Sequence, residues 1–302
     1  TAADSWLTSD AVDYPADKLK AMRPDTWYGW AFQNGKTILS SKAYEEPKDP
    51  VDVFDSGAGT EVDPWIIRTA EQWGKFADSF TQTDYAGKYI ALGADLTLTA
   101  GQKPAGQTDA GLQTFKGVLD GQNHTVSGLV IGSESSPLED TRNQMYYGLF
   151  AELENATVKN LGVKDAKIYV ASDVSLMAGP LAGFVDNSTV DGCWATGTVK
   201  IKTTTAEVLG YNNYAGGLVG YSQYSNIVNS WTNTAVDAYC KTANAEAGGI
   251  AGLTAFGLVA NCYTLGDVFG ETDRTVDDGG VAYLGGIAGC KASTMGNFYT
   301  AS

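Results

Sequence analysis

The sequence predicts an all-β chain: a right-handed parallel β-helix, preceded by a short capping helix and a small N-terminal appendage. Three observations carry this. A segment of the form Gly-Gly-(Leu/Ile)-(Val/Ala)-Gly recurs at nearly constant spacing. A second element follows the copies in phase. Beyond about residue 80 no long helical period is found; apolar segments are short and rich in Val, Ile, Thr and Tyr, as in strands.

Residues 1–54 differ from the rest and form an appendage or linker. They hold Pro15, Pro24, Pro47 and Pro50 together with Trp6, Trp27 and Trp30. Thr26–Phe32 and Thr37–Leu39, joined through Gln33-Asn34-Gly35-Lys36, predict a hairpin, because Asn-Gly supplies the positive φ of a tight hairpin turn. Thr1–Trp6 has neither the basic nor the apolar part of a secretion signal, so the numbering is expected to begin after processing or at an artificial boundary.

From residue 55 onward a Gly-rich turn leads to Trp65-Ile66-Ile67. Thr69 with Gln72 three residues later is a capping box, and Trp73, Phe76, Ala77 and Phe80 share one helical face. The helix predicted near 69–80 would cover the open end of a strand stack, where unpaired backbone groups otherwise invite aggregation. Strands are expected at Tyr89–Leu92, Gly117–Gly121 and Thr125–Ile131.

The repeat proper comprises Gly179-Pro180-Leu181-Ala182-Gly183, Gly216-Gly217-Leu218-Val219-Gly220, Gly248-Gly249-Ile250-Ala251-Gly252 and Gly285-Gly286-Ile287-Ala288-Gly289, with a weaker copy at Tyr147–Ala151. Their second residues fall at 148, 180, 217, 249 and 286, in steps of 32, 37, 32 and 37. Units this short cannot bury an apolar face alone, so they must stack. Leu149, Leu181, Leu218, Ile250 and Ile287 then form an internal column, and the glycines are expected to give positive φ at corners and close approach between coils. About seven coils are readable from Tyr89, a stack of roughly 34 Å at the spacing of paired strands.

The downstream element runs Val158-Lys159-Asn160-Leu161, Val190–Trp194, Ile227–Trp231 and Val259–Tyr263, and Asn297-Phe298-Tyr299 is one residue short. Together with the glycine segment, and with a lead-in at Gly59–Gln72 and Phe115–Leu129, it resembles the GLUG-motif proteins, a group of bacterial cell-surface and secreted proteins. The resemblance covers residues 55–302. It implies a parallel β-helix in an adhesin-like surface protein, some relatives of which carry a separate peptidase domain. The His-containing metal motif of such a peptidase is absent, since His124 is the chain's one histidine.

Trp194, Trp231, Tyr263 and, past the deletion, Tyr299 share one repeat position. Facing out, they would form a ladder able to stack on sugar rings or partner side chains; facing in, they are core, as aromatics usually are. Alternation does not decide: counting by twos from Ile227 puts Trp231 inside, and counting back from Val236 puts it outside, so a bend near Asn229 must break the phase. Asn160, Asn229 and Asn261 mark a corner where amides are expected to satisfy turn backbone groups. Cys193 and Cys262 lie two coils apart, too far for a disulfide, and are expected to be free buried thiols. Cys240 and Cys290 fall at other repeat positions, and His124 is expected to be structural.

Composition narrows function. The net charge of −15 repels phosphate backbones, so no nucleic-acid partner is expected. No apolar run is long enough to span a bilayer. No Cys-x-x-Cys pair exists, so no cofactor is expected, and Ca²⁺ has no motif behind it. The acids Asp120, Asp186, Asp191, Glu246, Asp267, Glu271, Asp277 and Asp278 do not recur in phase as a catalytic pair. The expectation is a non-catalytic extracellular β-helix module of a bacterial surface protein, secreted or surface-bound. It would be monomeric or part of a longer chain, and would bind a glycan or a host surface protein. Two alternatives stand beside it: a carbohydrate-active β-helix enzyme (polysaccharide lyase or glycosidase) and a structural stalk without ligand.

Overall fold

The computed structural model describes residues 30–33, 36–39, 53–99, 101, 103–108, 111–140, 145–204, 212–241, 243–273 and 280–300, with side chains of the β-helix through Lys291. The chain divides into two compact units, Thr1–Asp49 and Pro50–Ser302. In the first, Trp30–Gln33 and Lys36–Leu39 pair antiparallel with Gln33 opposite Lys36, which is the register of a two-residue hairpin loop. Thr26–Gly29, with Trp27, and the turn residues Asn34 and Gly35 lie outside the described residues.

The second unit is a parallel β-helix. Strand after strand pairs in parallel with its equivalent one repeat later: Tyr146 with Met177, Ala182 with Val219, Trp194 with Trp231 and Ala251 with Ala288. Seven rungs follow from Tyr89 to the end of the last strand. They build one sheet of 20 strands, which winds around the coil, and a separate 5-strand sheet made of the segment before each glycine motif. The expected column Leu149, Leu181, Leu218, Ile250 and Ile287 is buried throughout. Each fully buried member contributes about 1.5–3 kcal/mol before entropy.

The helix is Ala70–Asp78, extended by a 3-10 turn Ser79–Thr81. Thr69 caps it, with the reciprocal Gln72 bond of a capping box. Trp73, Phe76 and Phe80 close over Phe115 and Phe150, with ring centroids 5.0–6.4 Å apart along this cluster. Phe54 also belongs here: it is buried and stacks on Trp65 at 4.8 Å. The β-helix therefore starts earlier than residue 55.

The repeat glycines meet one of their two expected roles and not the other. None of Gly179, Gly183, Gly216, Gly217, Gly220, Gly248, Gly249, Gly252, Gly285 or Gly289 has positive φ. What they give is proximity. A Cβ at Gly216 would strike the Val219 carbonyl oxygen, and one at Gly217 the carbonyl of Gly249 in the next rung. The left-handed corners are held instead by Asn155, Asn160, Asn187, Asn229 and Asn261, with φ between 44° and 52–54°. Asparagine tolerates that region better than other side chains do.

Candidate functional site

Trp194, Trp231 and Tyr263 face outward, so the core reading of them is corrected; the side chain of Tyr299 lies outside the described residues. The chain neighbours Cys193, Ala195, Ser230 and Thr232 are all core-facing, which leaves Trp194 and Trp231 on the outer side of the same strands. The phase break lies at Asn229, whose φ of 52° turns the chain between Ile227 and Trp231. Only the count back from Val236 therefore holds. Trp194 and Trp231 stack at 5.1 Å and 9°, and Trp231 and Tyr263 at 5.8 Å and 6°. These centroid separations exceed the roughly 3.5–4.0 Å of direct ring contact, so the parallel rings are offset from one another along the stack. The first ring leans over Gly162, where any side chain would collide with the indole of Trp194. Tyr263 is 40% exposed. Tyr299 pairs with Tyr263 in the backbone register, because the strand pairing slips by one residue between Ala255 and Leu258. That slip is where the one-residue deletion is absorbed.

The corner beside the ladder carries a polar row. Asn160, Gly192, Asn229 and Asn261 occupy it in successive rungs. Their amides do not bond turn backbone, as expected, but other side chains. Asn160 Nδ2 donates to Asp120 at 3.2 Å, Asn229 Nδ2 to Asp191 at 2.8 Å and Asn261 Nδ2 to Asn229 at 3.1 Å. The reason is that their backbone N–H groups already donate to the next rung, Asn160 to Asp191 O at 2.9 Å and Asn229 to Ala260 O at 3.1 Å.

A second outer feature escaped the sequence reading. The preceding corner holds Asn155, Asn187, Tyr224 and Phe256 in register, all at positive φ. Tyr224 and Phe256 stack at 5.2 Å while 55% and 64% exposed. Bulky side chains in this backbone region are strained, at a cost on the order of 1–3 kcal/mol each.

The third feature is a trough on either side of the glycine turn. The outer residues Tyr146, Met177, Tyr214, Glu246 and Tyr283 form a column before the turn, and Glu152, Phe184, Tyr221, Leu253 and Cys290 one after it. Ring contacts join the two, Tyr146 to Phe184 at 5.4 Å and Tyr214 to Tyr221 at 5.3 Å, so these outer faces are turned toward each other. Phe184 meets Tyr221 along the trough at 5.2 Å. Glu246 is only 4% exposed, and desolvation pushes its carboxyl up to about 7. Glu152 is likewise raised to about 7, first by desolvation and then by Glu154 and Asp186. Glu246 Oε2 and Asp186 Oδ1 are buried without a hydrogen-bond partner. Sequence reasoning named Glu246 without seeing that the glycine turn sets its column against that of Phe184 and Tyr221.

The remaining candidates are placed as follows. His124 Nδ1 lies 3.1 Å from Asp95, whose backbone bond from Thr125 and bond to His124 hold its carboxyl low. None of the four cysteines is in a disulfide; Cys193, Cys240 and Cys262 are buried and Cys290 is half-buried. Asp120 is held by Lys159 at 3.4 Å, while Asp277 and Asp278 lie outside the described residues. Among the described residues no three His, Cys, Asp or Glu side chains could jointly hold a metal ion, and no helix is long and apolar enough to cross a membrane.

No known family model matches the chain. The GLUG resemblance rests on the repeat residues quoted above. Halomucin of Haloquadratum walsbyi is 28% identical over 181 residues, which cover 57% of this chain and 2% of halomucin. The chain thus spans a small fraction of that relative's length. Among solved structures, a Bacteroides ovatus protein provisionally named an immunoglobulin A1 protease superposes with a TM-score of 0.53 and 21% identity. The match covers 82% of this chain and 70% of that one. At this identity the likeness shows the shared fold.

Proposed function

We propose that this chain is a non-catalytic, extracellular β-helix module of a bacterial surface protein, related to the GLUG-motif group, and that it binds a glycan. The observation that carries this reading is the outward row Trp194–Trp231–Tyr263, an offset stack with ring planes parallel within 9° and centroids spaced 5.1–5.8 Å. Aromatic faces of this kind suit the C–H faces of sugar rings, and the polar corner Asp191–Asn229–Asn261 lies beside them to bond hydroxyls. The net charge of −15 fits a solvated surface. Similarity to halomucin and to the Bacteroides ovatus protein supports placement outside the cell.

The test is an oligosaccharide array followed by titration of tryptophan fluorescence. A binding glycan should quench emission, and Trp231→Ala should weaken binding about tenfold or more, since loss of one stacking ring and its buried area is felt at that level. No binding across the array supports the stalk reading; binding unaffected by Trp231→Ala removes the ladder from the site.

One observation favours a second reading. Glu152 faces outward in register with Phe184, and desolvation, with Glu154 and Asp186 adding to it, raises its carboxyl to about 7, which suits a general acid. Reproducible polysaccharide cleavage, lost in Glu152→Gln, would make the chain a carbohydrate-active enzyme.

A further inference from the structure

We infer that the trough is a second binding site, separate from the aromatic ladder, and that it takes a primary ammonium group against Glu246, with Tyr214 and Tyr221 as its aromatic walls. The argument begins with an imbalance. Glu246 is nine-tenths buried at an outer register position, between Tyr214 and Tyr283 of the neighbouring rungs. Its Oε2 has no hydrogen-bond donor. Among the described residues, the titratable groups that act on Glu246 or feel it here are Tyr214, Tyr221 and Cys290, none of them a cation. A buried carboxylate oxygen without a donor is costly, and structures seldom keep one that nothing fills.

The surroundings specify what would fill it. Tyr146, Phe184, Tyr221 and Tyr214 form a continuous run of ring contacts at 5.2–5.4 Å along the trough. Their negative ring faces attract cations and repel carboxylates or phosphates. Asp186, on the rung before Tyr221, adds a second unpartnered carboxylate oxygen, Oδ1. Lys116, which acts on Glu152 at the other end of this face, is already engaged by Glu154 at 3.1 Å and Asp84 at 3.7 Å. Unfilled acceptors require N–H donors, which a quaternary ammonium lacks and a primary ammonium has in threes. The aromatic walls accept the alkyl stem that carries it. A neutral sugar would supply hydroxyl donors but no charge to offset the buried carboxylate.

The ammonium group could come from a lysine side chain or from a free amine, and titration calorimetry at pH 8 distinguishes them. The probes are N-acetyl-lysine methylamide, n-butylammonium, the neutral N-acetyl-norleucine methylamide, and tetramethylammonium. Both primary ammonium probes should bind if the head group is what is recognised; binding of the lysine probe alone assigns the site to a peptide. Norleucine methylamide and tetramethylammonium should bind about tenfold or more weakly, the scale of one lost charge-assisted hydrogen bond. Glu246→Gln should weaken the lysine probe similarly, and Tyr221→Leu, on the outer face, should weaken it too. Wild-type affinity should fall as pH is lowered from 8 to 5 and Glu246 takes up a proton. Equal binding of the lysine and norleucine probes, unchanged affinity in Glu246→Gln, or no binding of either amine at about 10 mM, where only very weak sites escape, overturns the assignment.

Discussion

Position 192 is where the left-handed corner can be tested most directly. Gly192 sits in the row Asn160–Gly192–Asn229–Asn261 with φ of 63°, so it adopts the conformation of its asparagine neighbours without their side chain. A Cβ there would approach Asn160 Oδ1 at 3.1 Å, a flexible amide end that can shift by a few tenths of an ångström. Gly192→Asn lowers the entropy of the unfolded chain, a gain of roughly 0.4–1 kcal/mol. Asparagine pays little of the left-handed penalty. The new amide would also stand between Asn160 and Asn229 and complete the row. The expected outcome is unchanged or higher stability, by up to about 1 kcal/mol. Gly192→Ala has the same entropy gain but bears the full left-handed cost of roughly 1–2 kcal/mol, so it should lose about 1 kcal/mol. Urea unfolding monitored by circular dichroism reads both as midpoint shifts at constant slope. If asparagine lowers the midpoint as far as alanine does, the corner does not select for asparagine in the way argued.

Other expectations follow from the same packing. Leu218→Ala, at the centre of the buried column, should cost about 3–5 kcal/mol by the transfer and cavity terms, seen in the same unfolding assay. Gly217→Ala should destabilise severely, or prevent native stacking, because its Cβ meets a backbone carbonyl rather than a yielding side chain. Glu246 has its carboxyl raised to about 7 when folded, so the native state binds more protons than the unfolded chain between its ordinary acidity and that value. Its contribution is therefore unfavourable above about 7 and vanishes at low pH: stability should fall as pH rises from about 4.5 to 7, with a shallower fall in Glu246→Gln. In native protein a thiol reagent should reach Cys290 first, while Cys193, whose thiol burial pushes up to about 12, and Cys262 react only on unfolding.

The sequence by itself determined the architecture. Phased glycine motifs can only be satisfied by stacking, and the aliphatic member of each copy had to face inward. It also determined the helix, through Thr69, Gln72 and the single aromatic face that follows, and the free state of Cys193 and Cys262, through their two-coil separation. What only the tertiary structure decided is direction at corners. One left-handed residue reverses the alternation of everything beyond it, so the side on which Trp231 emerges depends on the φ of Asn229, which no periodicity encodes. The trough was hidden for a related reason. Tyr214 and Tyr221 are ordinary strand residues until the turn at Gly217 sets their outer faces against each other, and Glu246 joins them from the next rung, 25 positions after Tyr221 in the chain. The motif glycines give the close approach that was expected of them but not the positive φ, because glycine serves both and the sequence does not say which. At the two left-handed corners asparagine takes most of the positive-φ task, with Gly192, Tyr224 and Phe256 at the remaining places, and the motif glycines take the close approach, where backbone atoms of the next rung stand opposite their Cα.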